Sequence, residues 1–166
     1  MTENVVYPPV RQLRRGVRVA VDVGGVRVGV AKTDSSGILA TPVGTFQRGK
    51  NDLSAVVDLV KESDTLEVYV GLPKNMDGTE GKTAKDARKW ARRISRMVAP
   101  VAVRLIDERL TTVSAHRLLH ESGRRENTHR IVVDQVSAVI ILENALEFER
   151  NTGGLPGIAL NGESHD

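Results

Sequence analysis

The sequence predicts an α/β fold, with a mixed five-stranded sheet covered by helices on both faces and the element order βββαβαβαα. Three observations predict it. Short Val-rich runs alternate with period two, the spacing of half-buried strands. Between residues 83 and 98 the apolar period changes to that of a helix. After an opening meander, helical and strand patterns alternate, and such alternation requires parallel crossovers. The length of 166 residues suits one domain, and 40% hydrophobic with 27% charged residues is ordinary for a globular chain.

Val17 to Val21 reads as a strand ending at Asp22. Gly24 and Gly25 turn the chain, and Val26, Val28 and Val30 alternate with Arg27, Gly29 and Ala31 in a second strand. Ser35-Ser36-Gly37 turns it again into a third strand near Ile38 to Phe46. Leu53 to Val60 reads as an amphipathic helix with Asn51 or Asp52 as its cap, and Leu66 to Val70 as a fourth strand. A polar, flexible loop follows from Pro73 to Lys82. In the next helix Ala84, Ala87, Ala91, Ile94 and Val98 form an apolar stripe, opposite Lys85, Arg88, Lys89, Arg92, Arg93 and Arg96. Trp90 borders that stripe and reads as core. Pro100 stops the helix, and Val101 to Ile106 forms a fifth strand ending at Asp107-Glu108. Thr111 or Thr112 caps a helix to Ser122, closed by Gly123, and Ile131 to Phe148 is a last, buried helix. Residues 1–15 read as a flexible extension, 16–150 as the domain and 151–166 as a disordered, glycine-rich tail.

Composition removes several classes of function. With no cysteine there are no disulfides, cysteine-zinc sites or thiolate nucleophiles. Met1 to Arg15 has no apolar segment of signal-peptide length, and no run approaches a bilayer's thickness, so the cytoplasm is the expected compartment. The net charge of +3 is small, but the cations cluster and aromatics are only 3%, which suits phosphate backbones better than stacking on bases.

Three carboxylates stand at element ends. Asp22 closes a buried strand just before glycines that permit close backbone approach. Glu108 closes another strand, and Asp134 lies near the start of the apolar last helix. An ionised carboxylate in apolar surroundings needs a partner, hydrogen bonds or a metal. Converging at one end of the sheet, the three would form an oxygen-rich site for Mg²⁺ or Mn²⁺. Two such ions ~3.5–4 Å apart could activate a water against a phosphodiester. Each residue also has a plainer reading: Asp22 as a turn residue, Glu108 as the ion partner of Arg109 or Arg104, and Asp134 as a helix cap.

On these residues the sequence resembles the YqgF/RuvX family of pre-16S rRNA nucleases and Holliday junction resolvase-like proteins. The opening pattern D-x-G-x-x-R-x-G-x-A with a terminal Asp appears as DVGGVRVGVAKTD, Asp22 to Asp34. V-G-L-P is Val70 to Pro73, D-E-R-L-T-T runs unbroken from Asp107 to Thr112, and the closing pattern is VDQVSAVIIL, Val133 to Leu142. The resemblance spans about residues 17–148. It implies a ribonuclease H-like fold, with Asp22, Glu108 and Asp134 as catalytic and metal-binding residues. It also implies substrate contacts from Arg27 and the Lys74–Lys82 loop. With the basic residues nearest the carboxylates, the expected nucleic-acid contacts are Arg27, Lys74, Lys82, Arg109, Arg124, Arg125 and Arg130. Where related junction resolvases place a fourth carboxylate, one helical turn after the third, this chain has Ser137.

The function expected from this resemblance is metal-dependent hydrolysis of phosphodiester bonds at the 5′ end of pre-16S rRNA, by a monomer or a homodimer. Alternatives are resolution of four-way DNA as a dimer, and a non-catalytic ribosome- or nucleic-acid-binding module. Two other classes are excluded. Gly81-Lys82-Thr83 imitates the end of a phosphate-binding loop, but the first glycine that loop needs would stand at Met76. Actin-like ATPases also open on D-x-G, but enclose their nucleotide between two domains, and this chain supplies one. His116, His120 and His129 do not form a metal-ligand set with each other.

Overall fold

The structure, a computed structural model, describes residues 13–109 and 129–160, with side chains for all of these except 129–135. The strands are β1 (Arg18–Val23), β2 (Arg27–Thr33), β3 (Ala40–Gln47), β4 (Glu67–Leu72), β5 (Ala102–Asp107) and β6 (Ile158–Ala159). The helices are α1 (Asp52–Glu62), α2 (Lys82–Val98) and α3 (His129–Thr152). The helix expected between Thr111 and Ser122 lies outside the described residues, as do Arg124 and Arg125.

The six strands form one sheet in the order β3-β2-β1-β4-β5-β6. β1, β2 and β3 pair antiparallel, β1, β4 and β5 pair parallel, and β6 adds antiparallel to β5. The expected sheet had five strands and a disordered tail from residue 151; the sixth strand corrects both. α3 continues to Thr152, and Leu160 beyond it is buried. Buried Arg104 of β5 fastens this segment, donating from Nε to the carbonyl of Pro156 and from Nη2 to that of Gly157 at 3.3 Å. At the other end, Leu13 packs on the core and Arg14 is ion-paired, so residues 13–15 of the expected flexible extension are part of the fold.

Strand parity divides the sheet into two faces. Val19, Val21, Val68, Val70, Val103 and Leu105 point to one, where Val56 and Val60 of α1 and the α2 stripe Ala84, Ala87, Trp90, Ala91, Ile94 and Val98 cover them. Ala20, Ala31, Tyr69 and Ile106 point to the other, under Ala138, Ile141, Leu142, Ala145 and Leu146 of α3. Asp22 shares parity with Ala20, and Glu108 with Ile106, so both belong to the face covered by α3.

Candidate active site

β1, β4 and β5 run parallel, so Asp22 and Glu108 come to the same edge, where their strands end. A backbone bond from Glu108 N to the Leu72 carbonyl at 3.2 Å holds Glu108 beside β4 after β5 has ended. Gly71 of β4 stands between the two. A Cβ there would run into the Glu108 carboxylate and into Cδ1 of Ile141 on α3, so the absent side chain makes room for Glu108 to lie under the helix. Gly24 serves the turn after Asp22 similarly: its N–H donates to the Arg27 carbonyl at 2.9 Å, and a Cβ would collide with that oxygen.

Burial pushes the Glu108 carboxyl well above its ordinary range; the charge of Asp22, a hydrogen bond with the Asp22 side chain and the charge of Asp107 push it further. The protonated form of Glu108 is favoured accordingly, because two adjacent, partly buried negative charges are costly. Neither plainer reading of Glu108 holds. Arg109 chelates Asp107 instead, with Nη2 to Oδ2 at 2.7 Å, and Arg104 bonds the chain near residue 156. Arg109 pulls Asp107 below the usual carboxylate range through their hydrogen bond, against some desolvation.

Asp134 lies in α3, four residues before buried Ala138 and seven before Ile141, at helical spacing on one face. Its side chain lies outside the described residues, as do those of His129 and Arg130. Among the described residues, no three acidic or histidine side chains form a metal-binding group. The donor set that is described consists of the paired oxygens of Asp22 and Glu108, which fit a hard divalent cation.

The expected substrate contacts flank this pair. Arg27 opens β2 beside the Gly24-Gly25 turn. The Lys74–Lys82 loop, expected to be flexible, is bonded to itself: Asn75 N donates to the Thr79 carbonyl at 2.9 Å, Gly78 N to the Asn75 carbonyl at 2.8 Å, and Thr79 Oγ1 to Asp77 Oδ1 at 2.6 Å. Arg88 clasps Glu80, and Arg109 Nη1 reaches the Met76 carbonyl at 3.5 Å. Lys82 is exposed and Lys74 half-buried. Asp34, the last residue of the opening pattern, is a turn residue that accepts from Ile38 N and Leu39 N at 2.9 and 3.3 Å.

Sequence reasoning missed Arg48. Its Nη1 donates to the Gly24 carbonyl and to Asp86 Oδ2, both at 2.8 Å, tying the turn after Asp22 to α2. An arginine at the end of an edge strand gives no sign of such a role. Of the two expected caps, Asn51 occupies the N-cap position of α1, though without a side-chain cap bond; Asp52 instead accepts from Gly49 N at 3.1 Å and Trp90 Nε1 at 2.8 Å, joining α1 to α2. Trp90 is core, as expected. Among the described residues no helix is long and apolar enough to cross a membrane.

A six-stranded mixed sheet with this order, helices on both faces and carboxylates at the ends of its parallel strands is a ribonuclease H-like fold. Two structures of Thermus thermophilus RuvC show the same fold. One, in complex with a Holliday junction substrate, superposes with TM-score 0.56 at 12% identity over 85% of this chain and 99% of that one. The other gives TM-score 0.52 at 11% identity over 87% and 99%. Residues 16–148 match the RuvX family, described as Holliday junction resolvase, and the chain belongs to that family. Relatives named "Putative pre-16S rRNA nuclease" include one from Nocardioides, 51% identical over 87% of this chain and 96% of its own length. Another, from Thermobifida fusca, is 45% identical over 90% and 99%.

Proposed function

We propose that the protein is a divalent-cation-dependent nuclease that processes the 5′ end of pre-16S rRNA in the cytoplasm. Asp22, Glu108 and Asp134 are its metal-binding and catalytic residues. The observation that carries this reading is the partly buried, hydrogen-bonded Asp22–Glu108 pair at the sheet edge, shaped by Gly71. A fold stabilised only for its own sake gains nothing from two carboxyl groups forced together beneath a helix. The relatives named for pre-16S rRNA direct the choice of substrate.

Asp22 and Glu108 would hold Mg²⁺ or Mn²⁺ once Glu108 has lost its proton, with Asp134 completing the donor set. The chemistry such an ion supplies is Lewis-acid activation of water and relief of charge on the scissile phosphate. The chain's own residues do the positioning. The Gly24-Gly25 turn lets the phosphate approach the backbone, and Arg27, Lys74, Lys82 and Arg109 orient the strand, with Arg124, Arg125 and Arg130 entering from the segment before α3.

The family's description favours a second reading, incision of a four-way DNA junction, which would need two sites related by a dimer axis. Purified protein with Mg²⁺ or Mn²⁺, given a labelled pre-rRNA leader and a four-way DNA junction side by side, separates them. The expected result is cutting of the RNA by wild type and not by Asp22→Asn. Paired symmetric nicks confined to the junction would establish the second reading. Cutting of neither substrate, with both still bound, would leave a non-catalytic binding module and overturn the proposal.

A further inference from the structure

α2 concentrates the positive charge of the molecule. Its 17 residues hold seven Lys or Arg and one acid, Asp86. The remaining 17 cations and 20 acids of the chain sum to −3, so the basic balance of the whole protein resides in this one helix. Asp86 is taken by Arg48, and Arg88 by Glu80. Lys82, Lys85, Lys89, Arg92 and Arg96 recur at spacings of 3, 4, 3 and 4, opposite the buried stripe; all five are exposed, as is neighbouring Arg93.

A helix face that only needs to be soluble does better with alternating signs, because opposite charges at i,i+4 attract and like charges repel. Here Lys82–Lys85, Lys85–Lys89, Lys89–Arg93 and Arg92–Arg96 are like-charge neighbours, and the one acid of the helix, Asp86, lies near Lys82 and Lys89 but is bonded to Arg48. An anionic ligand lying along the row would turn this repulsion into attraction. The row is also continuous with the candidate site. Lys82, one of the expected substrate contacts, ends the loop that follows β4 and begins the row. It lines, with Gly25, Lys50 and Arg93, an open cleft of about 780 Å³ between the turn after Asp22 and α2.

We propose that the solvent face of α2 is a second binding surface, a track for the sugar-phosphate backbone of a double-helical nucleic-acid arm extending from the site. Resting on the nuclease reading for what occupies the site, it adds a contact remote from the chemistry. From Lys82 to Arg96 the row is ~21 Å long, and one strand of a duplex presents about six phosphates over that length. The contact reads charge and not base sequence, since lysine and arginine at this spacing meet phosphates and carry no pattern for base edges.

The test is the full-length chain with Lys85, Lys89, Arg93 and Arg96 all changed to Gln, none of them a residue assigned to the site. Binding to a labelled duplex of ~30 base pairs, RNA and DNA in parallel, is followed in EDTA over a range of salt concentrations, with each neutralised phosphate worth about 0.9 in the salt slope. The expected result is an affinity at least ~10-fold weaker at low salt and a slope shallower by about 3.6 for the four charges, with an unchanged melting temperature. The charge-conserving variant, Lys85→Arg, Lys89→Arg, Arg93→Lys and Arg96→Lys, should bind as wild type does. Wild-type affinity and slope in the Gln variant would overturn the proposal, as would a wild-type chain that binds neither duplex. A chain that cuts nothing yet shows α2-dependent binding would fell the nuclease reading and leave this one standing; cleavage with α2-independent binding would do the reverse.

Discussion

At Gly71 one missing methyl group decides whether the carboxylates can meet. Gly71→Ala places a Cβ against the Glu108 carboxylate and Ile141 Cδ1. Relief requires shifting both, so the substitution is expected to destabilise the fold by roughly 1–3 kcal/mol and to depress cleavage more than stability alone explains. Urea denaturation alongside initial cleavage rates checks both effects. The glycine itself is legible in V-G-L-P, and an isolated glycine in a strand signals close approach; what approaches is not legible, because Glu108 is 37 positions away along the chain. The partners of Arg104 and Arg109 are hidden for the same reason. Sequence proximity suggests that either could serve Glu108, whereas β6 claims Arg104 and Asp107 claims Arg109. Asp134 is legible as a carboxylate near the start of an apolar helix.

The clearest element in the sequence is α2, whose apolar stripe needs only the 3.6-residue period to declare which side is buried. Its attachment to α1 is not declared, because Trp90 Nε1 and Asp52 Oδ2 come from different elements and meet only after both helices pack on the sheet. Trp90→Phe keeps most of the apolar burial and deprives a buried carboxylate of a donor. A loss of about 1–2 kcal/mol in thermal or urea denaturation is expected, with the cleavage site intact. β6 is missed for another reason. Gly153, Gly154, Pro156 and Gly157 read as breakers, and a strand of two residues is too short to show a period. What secures it is side-chain bonding from Arg104 rather than any preference of its own residues.

Across the whole molecule the sheet has two polar ends with opposite character. At the end where β1 begins, Arg18 is fully buried and donates to Glu149 at 2.6 Å, while Arg14 bridges Glu149 and Glu67 at 2.5 and 2.6 Å, so charges are matched in place. At the other end two carboxyl groups, Asp22 and Glu108, are hydrogen-bonded to each other, and the charge of Asp22 raises the pKa of Glu108; the proposed metal site follows from that pairing of acids. Burial pushes Glu149 up, but hydrogen bonds from Arg14 and the charges of Arg18 and Arg14 outweigh it and leave its pKa lowered. A carboxylate with a lowered folded-state pKa stabilises the fold above its ordinary value near 4.5 and loses that contribution as pH falls through the lowered value. Glu149→Gln should therefore cost about 3–5 kcal/mol at neutral pH, since it strands buried Arg18, and the variant should lose less further stability than wild type on acidification, as melting temperatures between neutral and acid pH will show. The central claim concerns the opposite end, and the cleavage rate of Asp22→Asn in Mg²⁺ or Mn²⁺ tests it most directly. A fall of about a thousandfold or more, some 4 kcal/mol of barrier, with the melting temperature preserved, is the predicted result; an Asp22→Asn protein that cuts as fast as wild type would contradict it.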